Sequence, residues 1–153
     1  MAKKVLSHNF TGSFNGAKTA QFNVNADDGN LAIILGGAVY IGKWQKEAIA
    51  FLQANENTLA KRQVWLFSSG PTGTGDPVEL LEGQRLPAAM QPIVERIQPL
   101  DIAVFHGYIN PNKLNFIEKW AIKSLVEKPM GDFRDWNRIT GWASTIADTL
   151  KQA

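Results

Sequence analysis

The sequence has no cysteine, so it cannot form disulfides, thiolate nucleophiles or cysteine-ligated metal sites. Its two histidines, His8 and His106, lack the sequence context that a metal site or a catalytic triad requires. We therefore predict no metal site and assign no catalytic residue. No apolar run approaches the roughly 18 residues of a membrane-spanning helix. The net charge is only +2 and the basic residues are spread along the chain, so we expect no nucleic-acid partner.

The composition is that of a soluble globular protein. The chain has 153 residues, of which 44% are hydrophobic and 20% are charged, and this suits one domain over residues 1–153. Residues 1–4 include two lysines, but no adequate apolar segment follows them, so we expect no signal peptide. These features predict a soluble, cytoplasmic protein.

From residue 31 onward, strand patterns and helix patterns alternate. Continuous apolar runs at 31–35 and 64–67 are typical of strands covered on both faces, and a third strand is predicted at 101–106. Apolar residues at helical spacing predict helices between and after these strands. The order βαβαβαα predicts an α/β fold with a parallel sheet and helices on both faces.

The predicted helices each carry an apolar stripe that we expect to face the core. The first covers about 45–60, the second begins near Pro87, and the last is capped by Asp132 or Asp135. The core-facing residues, in chain order, are Trp44, Ala48, Phe51, Leu52 and Leu59; Met90, Ile93, Val94 and Ile97; Leu114, Ile117, Trp120, Ala121, Ser124 and Leu125; and Trp136, Ile139, Ala143, Ile146 and Leu150.

Residues 1–30 do not show this alternation of strand and helix patterns. They are rich in Asn, Gly, Ser and Thr, and the turn signals Asn15-Gly16 and Asp28-Gly29 favour short antiparallel strands. A strand–helix–strand crossover takes about 30 residues, so the segment is too short for the usual start of a doubly wound fold. We predict a β-hairpin in place of the usual first helix and edge strand.

Small and hydroxyl-bearing residues follow two of the predicted strands, at 37–42 and 68–71. Ligands bind at the carboxyl ends of neighbouring strands in open α/β sheets, so both loops are predicted ligand-binding segments. Residues 72–76 look like a phosphate-binding loop but lack its Gly-Lys-Ser/Thr ending, which favours a flexible loop near the site. His106, at the end of a strand, is a candidate for proton transfer, although a structural role is favoured.

Three segments, 36–44, 64–71 and 131–136, carry a family resemblance. Through them the chain, from about residue 31 to its end, resembles the flavodoxin-domain family that includes menaquinone-dependent protoporphyrinogen dehydrogenase. The resemblance implies a flavodoxin-like doubly wound parallel sheet over 31–153, with an atypical segment at 1–30. It also implies FMN at the strand ends and electron transfer as the chemistry, with small residues that let backbone N–H groups approach the flavin.

By position, the resemblance implies which residues contact FMN. Tyr40 would be the stacking side chain. Family members hold the phosphate in a loop before a helix N-terminus, and here no helical pattern follows the nearest equivalent. The residues implied for the flavin ring are Gly37, Ala38, Val39, Tyr40, Ile41, Gly42, Ser68, Ser69, Gly70 and Pro71. The residues implied for the phosphate are Thr11, Gly12, Ser13, Gly16 and Thr19.

Two functions stay open at this point. The first is an FMN-binding redox protein, similar to protoporphyrinogen dehydrogenase and linked to a quinone, which as an enzyme would be an FMN-dependent oxidoreductase. The second is a flavin-free structural or interaction domain that has lost the phosphate-binding loop. The sequence predicts neither the electron donor and acceptor nor the oligomeric state.

The segment 113–128 is a candidate for peripheral membrane contact. Phe116 and Trp120 lie near Lys119 and Lys123, which makes an aromatic and basic surface suited to a membrane interface. The alternative, which is favoured, is a helix that packs its apolar stripe against the domain. The two interpretations use different faces of the helix.

Overall fold

The computed structural model describes residues 32–40, 43–110, 112, 116, 120 and 129–152. The hairpin predicted for residues 1–30 and most of the helix predicted over 114–125 lie outside the described residues. Phe116 and Trp120 are described, and both are helical. The chain divides into two compact units, Met1–Phe67 with Leu86–Ile102 and Ser68–Arg85 with Ala103–Ala153.

Strands and helices alternate along most of the described chain. In order, they are β1 (Ala32–Tyr40), β2 (Lys43–Trp44), α1 (Lys46–Leu59), β3 (Gln63–Ser69), α2 (Gln91–Ile97), β4 (Asp101–Phe105), β5 (Tyr108–Ile109), β6 (Gly131–Asp132) and α3 (Trp136–Gln152). Among the described residues, a four-stranded sheet has the order β2-β1-β3-β4, and a second sheet pairs β5 with β6. The central sheet is mostly parallel, which confirms the predicted flavodoxin-like α/β class.

The first unit has a core formed by α1, α2 and the strands beside them. α1 buries Ala48, Leu52 and Leu59 along one face, and α2 buries Ile93 and Ile97. Full burial of a leucine or isoleucine side chain contributes about 1.5–3 kcal/mol. The stripes predicted for these two helices are confirmed. The buried cluster consists of Leu35, Trp44, Ala48, Leu52, Leu59, Val64, Leu66, Leu86, Met90, Ile93 and Ile97.

In the second unit, α3 begins where Asp135 caps it. The Asp135 carboxylate accepts the backbone N–H of Arg138 at 3.1 Å, which satisfies an amide of the first turn and confirms one of the two predicted caps. Farther along the helix, Ile146 is buried, and the Trp142 ring meets the Phe105 ring edge-on with centroids 5.6 Å apart. The apolar face of α3 therefore runs through Trp142.

The stripe predicted for α3 is partly wrong. Trp136 is 59% exposed and Ala143 is also exposed, because the helix turns Trp142 rather than Ala143 toward Phe105. A repeat of about 3.6 residues per turn leaves either of two adjacent positions compatible with the same stripe. The prediction is confirmed for Ile139, Ile146 and Leu150, which are buried or half-buried.

Candidate functional site

The first predicted flavin loop is largely strand. β1 continues to Tyr40, and β2 pairs with it antiparallel through Val39 with Trp44 and Tyr40 with Lys43. The prediction of a loop over residues 37–40 is therefore wrong, because pairing with β2 extends the strand. Ile41, Gly42 and the side chain of Tyr40 lie outside the described part of the chain, so their predicted contacts with a flavin stay predictions.

Aromatic rings occupy the space beside the glycines of this hairpin. A Cβ atom on Gly37 would lie 2.7 Å from Cδ2 of the buried Trp44 ring, and a Cβ atom on Gly36 would overlap the Phe67 ring. Real Cβ atoms do not come so close to ring atoms, so both positions require glycine for packing alone. Ala38 is exposed and Val39 is half-buried.

A small pocket lies at the start of α1. It is lined by Gly36, Gly37, Ala38, Gln45, Glu47 and Ala48 and holds about 40 Å³. Small-molecule sites usually hold at least about 300 Å³, so this pocket is of the size that admits water rather than a flavin ring.

The second predicted loop lies in the second unit and begins later than expected. Ser68 and Ser69 are the last residues of β3, and only Gly70 and Pro71 follow it. The buried Ser68 hydroxyl donates to the Arg85 carbonyl oxygen at 2.9 Å. The Ser69 hydroxyl donates to the His106 carbonyl oxygen at 3.4 Å. Both serines therefore stabilise the protein's own backbone through their hydroxyl protons.

The chain after β3 lies directly against the chain after β4. The Gly70 N–H donates to the Phe105 carbonyl at 3.3 Å, and the Gly107 N–H donates to the Pro71 carbonyl at 2.9 Å. A Cβ atom on Gly107 would lie 3.0 Å from the Gly70 carbonyl oxygen, so this approach also requires glycine. The structure thus brings Ser68, Ser69, Gly70 and Pro71 together with His106 and Gly107.

The loop after Pro71 is tied to His106, which the sequence did not predict. The His106 ring places Nδ1 3.3 Å from the Pro71 carbonyl oxygen and Nε2 3.0 Å from the Gly75 carbonyl oxygen. Gly73 and Gly75 have φ angles of +128° and +108°, a conformation that favours glycine. Thr72 is 2% exposed, and its Oγ1 has no hydrogen-bond partner among the described residues. Most buried hydroxyl groups have a hydrogen-bond partner, so this one retains the capacity to bond a ligand.

Asp76 joins the same loop to α3. Its carboxylate accepts the backbone N–H of Val78 at 2.7 Å and of Glu79 at 3.4 Å, and it accepts the Arg138 guanidinium at 3.3 Å. The Val78 amide, followed by the Glu79 amide and the Arg138 guanidinium, holds the pKa of Asp76 below its usual range.

An exposed cation–aromatic stack surrounds Arg134. Its guanidinium lies 5.1 Å from the ring centroids of both Tyr108 and Trp136, which are 47% and 59% exposed. Arg134 also binds Asp132 through two bonds of 2.8 and 2.6 Å, which lower the pKa of that carboxyl to about 2. The sequence reasoning missed Tyr108 as a candidate ring contact, although its place just past the carboxyl end of β4 is a usable signal.

Among the described residues, no group of His, Cys, Asp or Glu side chains is arranged to hold a metal ion. No described helix is long and apolar enough to cross a membrane.

Comparison with protein families gives a match over most of the chain. The model of the family described as flavodoxin domain matches residues 7–135, which is more than half of the chain. The match begins earlier than the predicted resemblance from about residue 31, so most of the segment 1–30 falls within it. Searches of curated proteins and of solved structures find no match. The extent of the family match shows that the chain belongs to the flavodoxin domain family.

Proposed function

We propose that the protein binds FMN and functions in electron transfer. Flavodoxin domains generally bind FMN as redox proteins, and the chain belongs to that family. The observation that carries the proposal is the loop after β3 in the second unit, where the buried Thr72 hydroxyl has no partner among the described residues. Under this proposal the Thr72 hydroxyl forms a hydrogen bond with bound FMN.

The residues around this loop fit the chemistry of a flavin. A flavin ring has a planar face and a polar edge of carbonyl and N–H groups. Thr72 offers a hydroxyl to such an edge, and the half-exposed Tyr108 offers an aromatic face. Ser68, Ser69, Gly70 and Pro71 would support the loop. When bound, FMN would supply the electron chemistry, while the protein would bind and orient it.

The decisive experiment is an absorbance spectrum of the purified protein with and without added FMN. Bound flavin is expected to colour the protein yellow, and added FMN is expected to lose fluorescence on binding and to raise the melting temperature. A colourless protein that neither quenches FMN fluorescence nor shifts its melting temperature would overturn the proposal.

Riboflavin provides a matched control for the phosphate contacts assigned to Thr11, Gly12, Ser13, Gly16 and Thr19. It has the same ring as FMN but lacks the phosphate. If those residues hold the phosphate, FMN should bind more than about tenfold tighter than riboflavin, which corresponds to about 1.4 kcal/mol. Equal affinities would place FMN recognition in the ring contacts alone.

A flavin-free interaction domain is the second candidate, and the packing and hydrogen bonds of the predicted flavin-contacting residues favour it. Gly36 and Gly37 are explained by the Phe67 and Trp44 rings, and the Ser68 and Ser69 hydroxyls already bond backbone carbonyls. A protein of this kind would keep the fold without a cofactor. It would stay colourless in the FMN experiment, so the same measurement separates the two candidates.

We further propose a cytoplasmic protein that meets the membrane surface and passes electrons to a quinone. The exposure of Phe116 at 85% and Trp120 at 58% supports the membrane contact, because solvent-exposed aromatic side chains suit a membrane interface. A smaller fraction of the protein should co-sediment with vesicles that contain anionic lipid after the substitution Trp120→Ser. The same substitution at Trp136, which is equally exposed, should change nothing. Equal losses, or no sedimentation, would contradict the contact.

The quinone partner is tested on the FMN-loaded protein. After anaerobic reduction, a water-soluble quinone is expected to reoxidise it faster than an equal concentration of a one-electron iron acceptor. A slower reaction with the quinone would contradict a protoporphyrinogen-dehydrogenase-like role while leaving FMN binding intact.

A further inference from the structure

Three hydrogen bonds hold Arg134 on one carboxylate. Asp132 accepts bonds from the Nε and Nη2 of Arg134 at 2.8 and 2.6 Å and from its backbone N–H at 3.1 Å. Two parallel bonds to a carboxylate fix the plane of a guanidinium as well as its position. Asp132 lies directly opposite Tyr108 in the antiparallel pair of β5 and β6, so the two side chains leave the same face of this pair. The carboxylate therefore sets the guanidinium beside the Tyr108 ring.

The guanidinium of Arg134 covers one face of the Tyr108 ring. Its central carbon, Cζ, lies 5.1 Å from the Tyr108 ring centroid and 5.1 Å from that of Trp136. A cation at this distance is attracted by the electrons of the ring face. Tyr108 is 47% exposed, and exposed side chains ordinarily change rotamer within nanoseconds. The contact with Arg134 thus restrains a ring that solvent would otherwise leave mobile.

A restrained ring is a better platform for a planar ligand than a mobile one. Ordering a mobile side chain on binding weakens affinity by roughly two- to tenfold, and a side chain that is already ordered avoids this loss. Arginine suits the task because its guanidinium is planar and binds a carboxylate through two bonds. A lysine ammonium is a compact point charge and cannot do either.

We propose that Arg134 is a positioning residue for the cofactor: bound to Asp132, its guanidinium holds the Tyr108 ring in the orientation that receives the flavin on its other face. This inference rests on the proposed function, because Tyr108 is assigned its flavin contact there. Arg134 acts through Tyr108. Its role thus differs from that of a cation that attracts the phosphate of FMN.

The first measurement is made on the full chain without FMN. NMR spectra of protein with labelled tyrosine contain signals from two residues, and those that Tyr108→Leu removes belong to Tyr108. Three-bond couplings to the Cβ protons report the χ1 rotamer. We expect one rotamer in the natural protein and averaged couplings in Arg134→Lys, which keeps the charge but loses the planar contact with both partners.

The second measurement is the affinity for FMN and for riboflavin, by fluorescence titration. Arg134→Lys should weaken binding of both ligands about threefold, because they share the ring that Tyr108 receives. Arg96→Lys is the matched control, since Arg96 belongs to the first unit and is likewise paired with a carboxylate, that of Glu56. It should leave both affinities unchanged. A loss for FMN alone would show attraction of the phosphate and would overturn the positioning role.

A double-mutant cycle separates positioning from a general loss of structure. If Arg134 acts through Tyr108, Arg134→Lys should cause no further loss of affinity in the Tyr108→Leu background. A merely structural effect would add to the loss that Tyr108→Leu causes. Asp132→Asn, which weakens the same contact from the carboxylate side, should reproduce Arg134→Lys in both measurements. It decides the outcome if Arg134→Lys does not fold.

Three results overturn the positioning role: one Tyr108 rotamer in Arg134→Lys, undiminished flavin affinity in that variant, or additive losses in the cycle. A natural protein that binds neither FMN nor riboflavin refutes the proposed function instead. In that case the rotamers measured without cofactor still decide whether Arg134 orients Tyr108.

Discussion

Two segments rich in small residues differ in what surrounds them: the first, residues 36–40, lies within β1, and the second, residues 70–76, follows β3. In the first unit, Gly36 and Gly37 lie under the rings of Phe67 and Trp44. In the second unit, Gly107 approaches the backbone of Gly70, and the following loop holds a buried hydroxyl with no partner among the described residues. Packing explains the glycines of the first segment, whereas the second segment contains a buried hydroxyl that no described residue satisfies.

The difference shows that a run of glycines has two physical meanings. Glycine lets a backbone approach a ligand, and it equally makes room for an aromatic ring of the same protein. What a Cβ atom would meet at each position distinguishes the two, because a ring in that space needs no ligand to explain it. By this criterion the second unit is the stronger candidate for cofactor contacts, and the following predictions test that ranking.

The largest effect is expected from Gly36→Ala. The added methyl group would overlap the Phe67 ring, so the core must shift, and overpacking of this kind costs about 1–3 kcal/mol. Urea unfolding at 25 °C measures the free energy of unfolding. Gly141→Ala is the control, since no atom lies within 4 Å of its Cβ position. It should be neutral or stabilise α3 by up to about 1 kcal/mol. Equal stability of Gly36→Ala and the natural protein would contradict the packing role.

The two tyrosines of the chain allow a comparison of the two segments, because Tyr40 ends the first and Tyr108 follows Gly107, whose N–H donates to Pro71 of the second. Tyr108→Leu should weaken FMN binding about tenfold, because aromatic stacking contributes roughly 0.5–1.5 kcal/mol beyond the buried area. The family resemblance assigns that contact to Tyr40 instead. Fluorescence titration with FMN measures both variants. A tenfold loss in Tyr40→Leu and none in Tyr108→Leu would reverse the ranking of the two segments.

The sequence predicted those strands and helices that the spacing of neighbouring apolar residues identifies. The apolar run at 64–67 identified β3, and the spacing of Ala48, Leu52 and Leu59 identified α1, since burial on one face repeats with the helix turn. The extension of β1 was missed because its partner, Lys43–Trp44, has too few residues to form a pattern. The small residues of the hairpin then favoured a loop.

Local sequence patterns did not predict the contacts between residues that lie far apart in the sequence. His106 meets Pro71 and Gly75, and Asp76 meets Arg138, across 31 to 62 residues of sequence. Nothing in the spacing of these residues indicates that they meet. The choice between Trp142 and Ala143 likewise depends on the Phe105 ring, which a helical repeat does not specify.

Thr72→Val tests whether the unpartnered hydroxyl is kept for a ligand. The substitution preserves shape and removes a buried polar group, so the free energy of unfolding without cofactor should stay constant or rise by up to about 1 kcal/mol. FMN affinity should fall about fivefold if the hydroxyl bonds the flavin. Thr74→Val, in the exposed part of the same loop, is the matched control and should change neither quantity. Lower stability of Thr72→Val without cofactor would show that the hydroxyl already has a partner.

The smallest effect concerns the acid sensitivity of the second segment. The pKa of Asp76 is lowered in the folded protein, chiefly by the Val78 amide and then by the Glu79 amide and Arg138. A lowered folded-state pKa means that the contribution of this carboxylate is present above its unfolded pKa and is lost as the pH falls through the folded one. The Val78 amide resonance should therefore shift on acidification below about pH 4, and in Asp76→Asn it should not titrate.

The hairpin of the first unit has no such carboxylate among its described residues 32–40 and 43–44, so its amides should hold their positions over the same range. Equal shifts in both segments would mean that acid loosens the fold as a whole rather than the loop that Asp76 caps.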